Sequence, residues 1–145
     1  MEEPFMKKFI VFLLAMGMAG FWGCAISTEL VKGEKLFKPT NDDYSTVYMA
    51  RESRVYGSAK AYPMLINGVY MFRIGNGDCI ALKIATGKTE IDLVPGMKQV
   101  GFMVEKGKKY YFYVSSQGPE LRQLTEEEWN EKQKACNWVE LKEKK

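Results

Sequence analysis

From residue 45 onward, apolar and polar positions alternate along the chain. In residues 79–85, Ile80, Leu82 and Ile84 fall on one side and Lys83 on the other. In residues 89–94, Ile91 and Leu93 oppose Glu90 and Asp92, and in 98–105 Val100, Phe102 and Val104 share a face. A period of two is the period of a strand with one buried face. Residues 46–50 and 61–66 complete the early strands. Residues 109–115 are apolar on both sides, with Tyr111 and Tyr113 opposing Tyr110, Phe112 and Val114. This predicts a central strand whose second face is covered, the cover being the C-terminal segment.

Turn signals separate these strands. Gly68, Gly77, Gly87, Gly96, Gly107 and Gly118 recur at intervals of 9 to 11 residues, a spacing typical of all-β sandwiches and barrels. Asn67-Gly68 suits a type I′ hairpin turn, because both central residues must tolerate positive φ. Asn76-Gly77-Asp78, Thr86-Gly87 and Pro95-Gly96 also read as turns. One helix is expected after them. Thr125 and Glu128 form a capping box. Glu126, Glu127 and Glu128 at its start, with Lys132 and Lys134 near its end, match the helix dipole. Trp129 and Cys136 would share its docking face. The expected fold is all-β: a small antiparallel sandwich with a C-terminal helix packed on it.

The other strong pattern lies at the beginning, from Met6 to Cys24. Lys7 and Lys8 precede a run without charge from Phe9 to Thr28, and Gly23 is the small residue before Cys24. A basic start, an apolar middle and a small residue at the cut make an export signal. Glu2 and Glu3 cancel the two lysines, so the signal opens at either Met1 or Met6. The run resembles a bacterial lipoprotein signal. That resemblance implies cleavage between Gly23 and Cys24, with diacylglycerol on the Cys24 thiol and an acyl chain on its new amino group. Ala25, in place of aspartate, implies transport to the outer membrane, facing the periplasm. The uncharged run is also long enough to span a bilayer, so an uncleaved helical anchor and an ordinary secreted protein are the alternatives. The organisation expected is residues 1–23 as signal peptide, 24–43 as lipidated N-terminus and tether, 44–136 as sandwich with closing helix, and 137–145 as a charged tail. The polar part of the tether, residues 27–43, would span about 23 Å as a flexible chain, with a short helix or strand within residues 30–37 as the alternative.

Composition narrows the chemistry. Removing residues 1–23 leaves 122 of the 145 residues, and the net charge stays at +3. That suits one domain with a real core. The lysines are scattered, which reads as a solvated surface and not a nucleic-acid interface. Histidine is absent. That removes the commonest general base and metal ligand and excludes Ser-His-Asp and Cys-His arrangements. With Cys24 lipidated, Cys79 and Cys136 remain as an even pair in an oxidising compartment. They form either a disulfide or two buried thiols.

No phosphate-cradling, zinc, calcium or nucleophile-elbow motif is present. Gly75-Asn76-Gly77-Asp78 reads as a turn, and Asp42-Asp43 as solvated carboxylates. Met49, Met64, Met71, Met97 and Met103 fall about one per strand, as core residues do. Tyr44, Tyr48, Tyr56, Tyr62 and Tyr70 cluster in the first strands. Tyrosine offers contact area with little entropy to lose, so Tyr48, Tyr56, Tyr62 and Tyr70 are the candidate binding surface. Ordinary strand propensity is the competing explanation.

The run TVYMARESRVYGSAKAYPMLINGVYMFRIGNGDCIALKIATGKTEI, with EKGKKYYFYV and LRQLTEEEW after it, carries a second resemblance. Its features are Val47-Tyr48, Gly57-Ser58, Asn67-Gly68, Asn76-Gly77, Thr86-Gly87 and the strand from Gly107 to Tyr111. Together they resemble a family of small bacterial lipoproteins, the domain of unknown function 2846 family. The resemblance implies a prealbumin-like or immunoglobulin-like sandwich and no particular activity. The expectation is therefore a lipid-anchored envelope lipoprotein. Its domain binds another envelope component, protein or glycan, with no catalytic residues, cofactor, metal or nucleic-acid partner. An accessory envelope role without a specific ligand is the alternative, and a glycan-acting enzyme using Glu90 and Asp92 is the third reading.

Overall fold

The computed structural model describes residues 28–30, 42–55, 60–93, 99–115, 117 and 120–141. The signal peptide, Gly23, Cys24, Tyr56, Gly57-Ser58, Pro95-Gly96 and Met97 lie outside them. The strands are β1 (Glu29–Leu30), β2 (Tyr44–Arg51), β3 (Tyr62–Ile66), β4 (Val69–Ile74), β5 (Asp78–Ala85), β6 (Gly87–Asp92), β7 (Val100–Val104), β8 (Lys109–Ser115), β9 (Glu120–Leu124) and β10 (Asn137–Trp138). Helix α1 (Glu126–Lys132) lies between β9 and β10, followed by a single 3-10 turn, Gln133–Ala135. Among the described residues, no helix is long and apolar enough to cross a membrane.

The strands form two five-stranded sheets, ordered β1-β4-β3-β6-β7 and β10-β5-β2-β8-β9. Alternation decides what lies between them. Val47 and Met49 of β2, Ile80, Leu82 and Ile84 of β5, and Phe112 and Val114 of β8 point inward from the second sheet. They meet Met64, Phe72, Ile74, Ile91 and Val104 of the first sheet. Phe72 and Phe112 are fully buried. The Asn67-Gly68 hairpin forms as its sequence implies, with φ of 51° and 76°. The capping box also forms: Thr125 Oγ1 accepts from the Glu128 N–H, and Glu128 Oε2 accepts from the Thr125 N–H.

Several features depart from the expectation or add to it. The turn read at Thr86-Gly87 is present, and it joins the two sheets. β5 belongs to the second sheet and β6 to the first, so the chain turns a corner between layers there. Gly87 adopts φ of 127°, which a side chain would oppose. Such corners are how a strand passes from one layer to the other. The second sheet is mixed: β2 runs parallel to β8, and β10 parallel to β5. Strand β9 has no period-two signal, because its apolar residues, Leu121 and Leu124, are three apart and serve opposite faces.

Both expected domain limits also move. The stretch read as tether enters the fold at Thr28, which is buried, and at β1, which pairs with β4. The stretch read as a charged tail supplies β10, and Val139 and Leu141 pack against the inter-sheet core. Neither piece is long enough to show a period: Thr28 closes the uncharged run with Glu29 and Leu30 directly after it, and Trp138, Val139 and Leu141 sit among charged residues.

Candidate functional site

The outward face of the second sheet carries most of the remaining aromatic residues. Because side chains alternate along β2, Tyr44, Thr46, Tyr48 and Ala50 face away from the core that Val47 and Met49 enter. Strand β5 adds Cys79, Ala81 and Lys83 beside them through its antiparallel register, in which Tyr48 lies opposite Ala81. Strand β8 adds Tyr111 and Tyr113 through its parallel register, in which Tyr48 lies opposite Tyr111.

Helix α1 covers one half of this face. The Trp129 ring is buried, stacked on Tyr111 at 5.5 Å, with Tyr48 at 5.7 Å. Tyr48 and Tyr111 stack at 5.5 Å with only 22° between their planes. Trp138 of β10 meets Tyr48 edge-on at 6.4 Å and Trp129 at 6.1 Å. Offset and edge-on arrangements of this kind suit the ring quadrupoles. The Lys132 ammonium sits 4.6 Å above the Tyr113 ring. Burial raises the Tyr111 phenol above its ordinary pKa, and the nearby Glu126 carboxylate reinforces the shift. Tyr113 is raised for the same first reason, with Glu52 adding to it. Both hydroxyls therefore stay protonated at neutral pH and can donate hydrogen bonds. That of Tyr111 donates to Glu126 Oε1 at 3.3 Å.

The other half is open. Tyr44, Thr46 and Tyr48 are half-buried, Ala81 and Lys83 are exposed, and Trp138 is 50% exposed. Lys83 lies 4.6 Å over the Tyr44 ring. A groove of about 390 Å³ opens between α1 with its 3-10 turn and the end of β2, lined by Ala50, Arg51, Glu52, Tyr113, Lys132 and Cys136 among others.

Comparison with known protein families, curated proteins and solved structures finds no match. The geometry alone must carry the functional argument.

The candidate tyrosines do not form one surface. Tyr48 belongs to the aromatic cluster on the second sheet, whereas Tyr62 and Tyr70 belong to the first. The Tyr62 ring lies 4.2 Å from the Arg51 guanidinium and packs on the inter-sheet core. Arg51 itself is buried, and its Nη1 donates to the carbonyls of Lys60 and Ile74. Burial lowers its pKa, opposed by Tyr62 and Asp78. Glu90 and Asp92 are not a solvated pair: Glu90 pairs with Lys88 at 3.2 Å, and Asp92 is buried, accepting from Gln99. Among the described residues, no three His, Cys, Asp or Glu side chains gather as a metal site.

The structure joins Cys79 to Cys136 as a disulfide, with Cα atoms 5.5 Å apart. Beside it stands a residue that sequence reasoning passed over. Asp78 is buried, and it ties both ends of the domain to one carboxylate. Its Oδ2 accepts from the Thr28 N–H at 2.7 Å and the Thr28 hydroxyl at 2.6 Å. Its Oδ1 accepts from Asn137 Nδ2 at 2.9 Å. A carboxylate with three donors is a strong, charge-assisted node. In the sequence Asp78 looks like the last residue of a turn. The available signal was its position directly before Cys79, where a second chain has to approach. Trp138-Val139 and Leu141, apolar residues in an otherwise charged tail, were the corresponding signal for β10.

Proposed function

We propose that the protein is a lipid-anchored lipoprotein of the cell envelope, held through Cys24 in the outer membrane and facing the periplasm. Its sandwich binds another envelope component, a protein or a glycan, without catalysing a reaction on it. The observation that supports this reading is the open half of the second sheet's outer face. There Tyr44, Thr46 and Tyr48 run in a row beside Ala81 and Lys83, while α1 covers the neighbouring half. An aromatic row held by a rigid strand, with a cation at its side, gives stacking area and a polar contact at low entropic cost.

The test is crosslinking in cells from a photoreactive residue at Thr46, with Lys88 of the first sheet as the control position. The expected outcome is one partner captured reproducibly from position 46 and not from 88. Capture of nothing reproducible at 46 would overturn the binding reading. The anchor has its own test: Cys24→Ser should move the protein from the membrane fraction to the soluble envelope fraction.

A further inference from the structure

We infer that the end of the sandwich carrying Val55 and Trp138 rests on the lipid surface itself, so that the domain stands on the membrane in a fixed orientation. The inference builds on the anchor at Cys24 proposed above. It follows from where the chain enters the fold.

Thr28 is only four residues beyond Cys24, and four residues reach at most about 14 Å when fully extended. Thr28 is not loose. It is buried, it donates twice to the buried Asp78, and its hydroxyl accepts from the Gly75 N–H at 2.8 Å. β1 then starts opposite Arg73 and runs away from this end, antiparallel to β4. A lipid on Cys24 must therefore sit close to the β4–β5 turn. A tether reaching residue 43 would have allowed the domain to drift. A clasp at residue 28 does not.

The same turn gathers what a lipid surface would meet. The Arg54 N–H donates to Asn76 Oδ1 at 3.0 Å, which brings Val55 beside the turn. The Asn137 N–H donates to the Gly77 carbonyl at 2.9 Å, which places Trp138 on its other side. Val55 is 88% exposed and Trp138 50%. A half-exposed indole, its ring edge-on to Tyr48 and Trp129, and an exposed aliphatic side chain at the same end of the sandwich suit the boundary between headgroups and acyl chains, where tryptophan partitions preferentially. Lys60 and Arg73 are exposed at this end, Arg73 with Glu29 opposite it in the β1 register. Among the described residues, the other two large exposed apolar side chains, Val69 and Met103, lie at the opposite end, Val69 beside the Asn67-Gly68 turn and Met103 opposite Lys88. In this orientation β2 points Tyr44 away from the bilayer, leaving the aromatic row accessible from the periplasm.

The test uses the full lipoprotein reconstituted in vesicles of phosphatidylethanolamine and phosphatidylglycerol whose acyl chains are brominated near the headgroup. Bromine quenches only nearby indoles. The mature chain holds Trp129 and Trp138, so Trp129→Phe leaves Trp138 as its one indole. Most of its emission should be lost in brominated vesicles, and Val55→Asp should restore part of it. Met103→Trp with Trp129 and Trp138 both replaced by Phe should give an indole that is not quenched. Equal quenching at positions 138 and 103, or none at 138 while mass spectrometry shows lipid on Cys24, would overturn the orientation and leave the anchor standing. A Cys24 that carries no lipid would overturn both.

Discussion

Between the sheets, the buried side chains include Val47, Met49, Phe72, Ile80, Phe112 and Val114, each delivered by the alternation of its own strand. Outside the second sheet they include Tyr111 and Trp129, with the half-buried Tyr48 against them and Ala50, Leu124 and the Cys79–Cys136 disulfide around them. The first layer is closed on both sides by sheets and is mostly aliphatic. The second has a sheet on one side only. Its lid is a seven-residue helix, too short to be stable by itself. The difference shows two ways of holding apolar surface. A wide layer persists by burial alone. A narrow one needs ring contacts, a capping box, a covalent bridge and the Asp78 node to keep its lid in place.

If that contrast is right, damage to the inner layer should be global and damage to the outer one local. Phe72→Ala should have the largest effect, a loss of about 3–5 kcal/mol measured by denaturant unfolding, as for other fully buried phenylalanines. Hydrogen exchange should then speed up in every strand. Replacing both Cys79 and Cys136 by alanine should cost about 2–4 kcal/mol. Its exchange signature should differ: amides of 126–139 lose protection well before those of β2 and β8. Uniform loss of protection would erase the distinction between the layers.

The smallest effects sit at the helix start. Thr125→Ala should cost about 1 kcal/mol. The Glu128 carboxylate is held below its ordinary pKa, first by the Thr125 N–H and then by Arg122. Folding therefore favours its charged form. Its contribution is present above the ordinary carboxylate range and is lost as pH falls through the lowered value. The Tm gap between wild type and Glu128→Gln should close over that acidic range and stay constant above it. A gap that is flat from neutral to strongly acidic pH would show that Glu128 does not hold the lid.

The inner layer was legible in the sequence because it depends on local periodicity. Ile80, Leu82 and Ile84 announce a strand and its buried face without reference to anything distant. The helix start was legible for the same reason, since Thr125 and Glu128 are three apart. The dual-faced reading of residues 109–115 also matches what is seen, with Tyr111 covered by Trp129. What escaped depends on meetings between distant segments. Thr28 and Asn137 find Asp78 across 50 and 59 positions, and no local pattern encodes that. The tyrosines misled because shared strand propensity says nothing about which sheet a residue joins. The turn at Thr86-Gly87 was legible, but not that it joins two sheets, because a hairpin turn and a corner between layers use the same two residue types.

That corner has a mechanical consequence. Since β5 and β6 are one nearly continuous ribbon folded over at Gly87, the two sheets share a covalent crease and cannot slide past each other without unfolding it. Shear applied between the layers is resisted by the backbone and not only by side-chain packing.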